Sequence, residues 1–72
     1  MPTARILPIL LKRLKELRQK AGLTQEEFAE GANFSYKYYQ QIESGRKRDL
    51  RLSTLERLAK AHRIELSELL RK

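Results

Sequence analysis

The sequence predicts an all-α, compact domain of five short helices over residues 1–72. Three observations carry this expectation. Apolar residues recur at helical spacing, and no segment reads as a strand. Side chains able to cap a helix start stand before these stripes at Thr24, Ser35 and Ser53. Gly22 and Gly45 stand where helices would stop, because glycine takes a left-handed backbone at little cost.

The first helix is expected over about residues 8–20. Pro8 suits an opening turn, where its missing N–H costs nothing, and Leu10, Leu14, Leu17 and Ala21 form a core-facing stripe. The second follows Thr24: Thr24 and Glu27 make a capping box, each side chain accepting the other's backbone N–H. Phe28, Ala29 and Ala32 would face inward. Gly31 and Asn33, both tolerant of positive φ, supply the turn. Ser35 caps the third helix, which Gly45 ends. A loop fills 45–52. Ser53 and Glu56 read as a second capping box opening the fourth helix, with Leu55, Leu58, Ala59 and His62 on one face. Ile64, Leu66, Leu69 and Leu70 supply a short fifth helix.

Composition narrows the function. A chain of 72 residues buries only about 60% of its unfolded surface, so the core is small. Sixteen Lys and Arg against nine Asp and Glu give a net charge of +7, which favours an anionic partner. There is no Cys and one His, so thiolate and His-rich metal sites are excluded and no cofactor is expected. The longest apolar run spans 6–11 and Pro8 interrupts it, too short for a membrane span or a secretory signal; a cytoplasmic protein is expected. Ser35, Ser44, Ser53 and Ser67 have no His partner other than His62, and three read as caps, so no catalytic site is expected.

The third helix carries the functional signal. At about 100° per residue, Tyr36, Lys37, Gln40, Gln41 and Ser44 share one outward face, with Tyr39 and Ile42 opposite and Tyr38 at the boundary. Gln can bond adenine through two contacts, Lys can donate to guanine, and an aromatic ring can pack on a thymine methyl. Arg46, Lys47, Arg48 and Arg51 follow in the loop, placed for phosphates.

The matching marks Arg18, Gly22-Leu23-Thr24-Gln25, Phe28-Ala29, Phe34-Ser35, Ile42-Glu43-Ser44-Gly45 and Leu55 through Ala61 resemble the lambda-repressor and Cro-like helix-turn-helix family, also called the xenobiotic-response-element family. The resemblance covers about residues 10–70 and puts the helix-turn-helix at about 24–44. It implies double-stranded DNA as partner and a transcriptional regulator, most simply a repressor. Tyr36, Lys37 and Gln41 take the main base-reading positions and Gln40 an auxiliary one. Gln25 bonds a phosphate, and Ser44, Gly45 and the basic loop (Arg46, Lys47, Arg48, Arg51) hold the backbone. Arg18 and Glu43 match the family's interior ion pair. One helix reads few base pairs, so a homodimer on a two-fold operator is expected, formed at least on DNA.

The chain departs from the family at four positions. Asn33 replaces the usual turn Gly, and Arg63 the usual Gly after the fourth helix, so that end is expected to be strained or differently closed. Tyr39 replaces an aliphatic residue, so its hydroxyl needs water or a partner. His62 replaces an apolar residue and reads as a core-edge histidine. Two rival readings remain. One is a protein-interaction module on the same fold, such as an antitoxin gripping a toxin. The other is a membrane-surface peptide built on the basic first helix, with Arg13, Lys15 and Arg18 beside the apolar stripe.

Overall fold

The computed structural model describes residues 2–71, with side chains over 6–71. Five helices run in order: α1 Pro2–Lys20, α2 Gln25–Gly31, α3 Tyr36–Ser44, α4 Leu52–Ala61 and α5 Leu66–Leu69. There is no strand among the described residues, and no helix there is long and apolar enough to cross a membrane. α3 packs on α1 and α2, α4 packs on α5, and α5 returns to α1. Tyr39, Leu14, Ile42, Leu58 and Leu69 are the large side chains sealed in the centre.

The first helix begins at Pro2, not Pro8, and Pro8 lies inside it. Leu7, just upstream of that proline, packs on the core. Its burial favours carrying the helix back past Pro8, although the proline forfeits one ladder bond. Pro2 now takes the opening turn that suits the residue. Leu10 and Leu14 are buried, whereas Ala21 lies beyond the helix and is exposed, so it drops out of the expected stripe.

Local signals set α2 and α3. The Thr24 hydroxyl accepts from the Glu27 N–H at 3.1 Å, and the Glu27 carboxylate accepts from the Thr24 N–H at 2.9 Å. The Ser35 hydroxyl accepts from the Tyr38 N–H at 3.1 Å. Gly45 closes α3 at φ 86. A Cβ there would stand 3.2 Å from Leu11 Cδ1, so the close approach as well as the backbone favours glycine.

Three helix ends share one closure, a Schellman motif. Gly22 and Leu23 donate to the Gln19 and Arg18 carbonyls, Asn33 and Phe34 to Glu30 and Ala29, and Arg63 and Ile64 to Lys60 and Ala59. The left-handed residue is Gly22 at φ 75, Asn33 at φ 64 and Arg63 at φ 57. Of the two residues expected to share the turn after α2, only Asn33 uses positive φ; Gly31 is the last helical residue.

The second expected capping box does not form. α4 starts at Leu52 with Arg51 as its N-cap and no capping side chain. Ser53 and Thr54 are therefore helical. The earlier start puts Thr54 in the buried row, four residues before Leu58.

Candidate nucleic-acid interface

Burial divides α3 into two faces. Tyr39, Ile42 and Glu43 are buried; Tyr36, Lys37, Gln40 and Ser44 are exposed; Gln41 and Tyr38 are half-buried. Tyr36 is 44% exposed, a large area for an aromatic ring in so small a chain. The Gln41 carbonyl accepts from the Lys47 N–H at 3.0 Å and from the Ser44 hydroxyl at 3.2 Å. These two bonds fold the basic loop back against the end of α3. Arg46, Arg48 and Arg51 are exposed, and Lys47 Nζ stands 6.0 Å over the Tyr38 ring. Among the described residues Arg18–Glu43 is the sole ion pair, so all four loop cations keep their charge for an external anion.

The inner face of α3 carries Glu43, whose side chain is 1% exposed. Arg18 grips it in a fork, Nε to one carboxylate oxygen at 2.8 Å and Nη2 to the other at 2.9 Å. Arg18 Nη1 also donates to the Leu23 carbonyl at 2.8 Å. Gln25 Nε2 donates to Glu43 at 3.0 Å. Gln25, expected from the sequence to bond a phosphate, is thus tied inward to Glu43. Burial alone would push the Glu43 carboxyl up, but the donors around it, Arg18 foremost, hold it below the usual carboxylate range.

The Tyr39 hydroxyl is buried beside this carboxylate, its nearest polar neighbour among the described residues. Its burial, reinforced by the Glu43 charge, raises the phenol far above its ordinary pKa, so it stays neutral. His62 stacks on Phe28 with centroids 4.5 Å apart and planes 13° apart. Burial lowers its pKa, and its buried Nε2 has no hydrogen-bond partner among the described residues.

One residue of this region had no signal in the sequence. Arg57 of α4 donates to the Asn33 carbonyl at 2.6 Å and to Ala32 at 3.4 Å, with its guanidinium 4.2 Å over the Phe34 ring. It therefore clamps the turn that sets α3 against α2. Its place on an exposed face of α4 resembles that of any solvated arginine, and no periodicity links positions 24 residues apart.

The helix-turn-helix family model matches residues 14–69, which takes in α2 through α5 and the last third of α1. No curated protein and no solved structure matches the chain. With five helices, a capped α2, a turn through a left-handed Asn33 and a serine-capped α3, the chain belongs to the lambda-repressor/Cro-like helix-turn-helix family of DNA-binding regulators.

Proposed function

We propose that the chain, as one domain over 1–72, is a sequence-specific double-stranded DNA-binding repressor that inserts α3 in the major groove. Tyr36, Lys37 and Gln41 read base edges, with Gln40 beside them. Arg46, Lys47, Arg48 and Arg51 hold phosphates, with Ser44 and Gln25 at the two sides of the groove and Gly45 giving the loop its turn. The reading rests on one observation: Tyr36, Lys37, Gln40 and Ser44 on the outward face of α3 are exposed, and they adjoin a basic loop whose cations make no ion pair among the described residues. Two copies on a two-fold operator would double a footprint too short to be specific alone, and occupancy would block transcription.

The test is selection of bound sites from random duplex DNA, followed by titration at several salt concentrations. An enriched two-fold motif is expected, with affinity falling by about 0.9 log unit per log unit of salt for each phosphate neutralised. Lys47→Ala should weaken selected and scrambled duplexes alike and flatten that slope by roughly one unit. No enriched motif, or a slope near zero, overturns the reading.

A further inference from the structure

A second surface lies at the meeting of the first half of α1 with the end of α5. A groove of about 180 Å³ is floored by Ile6, Leu7, Leu10, Leu50, Leu55 and Leu70, with Arg48 at its rim. Ile6 is 48% exposed, an apolar side chain with no cover. The next hollow around α1, about 270 Å³, brings Lys12, Arg13 and Arg71 together against a single carboxylate, Glu16. Sequence neighbours line the two hollows on both elements, Ile9 and Leu10 on α1 and Leu70 and Arg71 at the end of α5, so the hollows are neighbours. Arg13 Nε is shielded from water and bonds to nothing among the described residues. Three cations against one carboxylate leave this hollow net positive, which favours an acidic partner.

We infer that this surface docks an acidic amphipathic helix of a partner protein. The groove takes its apolar anchors, spaced by one helical turn, and its carboxylates meet Arg48 on one side and Lys12, Arg13 and Arg71 on the other. A second copy fits poorly. It brings another +7 charge, and the chain's own acidic segment, with Glu26, Glu27 and Glu30, has its apolar residues Phe28 and Ala29 already buried. Arg48 is also among the proposed phosphate contacts. On that DNA reading, acidic helix and duplex compete for one guanidinium, and each weakens the other by the same factor.

The test uses DNA-free, 15N-labelled protein and a synthetic helical peptide of about 15 residues, with Leu at i, i+4 and i+7 and Glu at the remaining polar positions. A scrambled peptide of equal composition controls for charge. The expected result is amide shifts centred on Leu7, Leu10, Leu50, Leu55 and Leu70, with at least about tenfold tighter binding than the scramble. Ile6→Glu should abolish this binding while leaving the fold intact, since Ile6 is exposed. Arg71→Glu should weaken it. Equal binding of the scrambled peptide overturns the proposal. So does self-association abolished by Ile6→Glu, which makes a second copy the occupant, or binding to anionic vesicles lost in that variant, which makes it a membrane. Duplex that binds without displacing the peptide overturns the link through Arg48. Duplex that does not bind overturns the DNA reading and leaves the docking standing.

Discussion

Arg18→Ala should be among the most damaging single changes in this chain, and its cost should differ from that of Glu43→Ala. Arg18 makes two bonds to Glu43 and one to the Leu23 carbonyl. Without it, a carboxylate with 1% exposure keeps only the Gln25 amide as donor. Breaking a buried pair in this way costs about 3–5 kcal/mol, mostly as the penalty of the stranded charge. Glu43→Ala strands the other charge more mildly. Arg18 is 12% exposed and retains the Leu23 carbonyl, so the lower end of that range applies. A domain of this length holds roughly 4–11 kcal/mol in all, so Arg18→Ala alone should leave it close to unfolding. At about 4–8 °C per kcal/mol, Tm should fall by on the order of 20 °C. Urea unfolding of the wild type, both single variants and the double variant gives the coupling. The double variant should cost less than the sum of the singles by about 1.5–3 kcal/mol. Additive costs would show that the fork contributes no coupling and would refute the reasoning.

Four further outcomes are expected. Arg57→Ala should cost about 1–2 kcal/mol in thermal unfolding, from its exposed hydrogen bonds to the Asn33 and Ala32 carbonyls and one cation–π contact; no change would show that the clamp is idle. Arg63→Gly should stabilise by about 0.5–1 kcal/mol, because the left-handed backbone penalty removed exceeds the entropy glycine adds; a lower Tm would refute the strain. Stability should fall as pH drops below about 6.5, the unfolded value for His62, since its folded pKa is lower and the unfolded state binds the proton first. A further fall should follow below about 4.3, where Glu43 accepts its proton more readily unfolded than folded. His62→Phe should remove the first decline and keep the second, as read by urea midpoints across pH. Gln41→Ala and Lys37→Ala should leave Tm nearly unchanged yet cost about 1–3 kcal/mol at a selected duplex; equal losses on a scrambled duplex would show that α3 does not read bases.

Features written within one helical turn are legible from the sequence. Thr24 with Glu27, Ser35 with the Tyr38 N–H, and the glycines at 22 and 45 each need only neighbours a few residues away. The split between the faces of α3 follows from helical period alone. Helix starts that answer to packing are not legible. Leu7, partly buried against the core, holds α1 helical upstream of Pro8, and the burial of Thr54 accompanies an α4 that begins before its apparent cap. Contacts between distant positions leave no local trace. The Arg18–Glu43 fork spans 25 residues and is reachable only through the family's pattern, and the Arg57 clamp is reachable by neither route.

The burial of Glu43 has a consequence for exchanging specificities. One carboxylate on the inner side of α3 gathers bonds from α1 and α2, and Tyr39 and Ile42 beside it fill the centre of the core. Those three positions therefore anchor the helix whatever stands opposite. Positions 36, 37 and 40 carry only exposed side chains, so their identities can be permuted without re-solving the packing. A library randomised there, with 39, 42 and 43 held fixed, should yield mostly folded members. On the proposed DNA reading, the scaffold is then a constant mount for interchangeable reading heads.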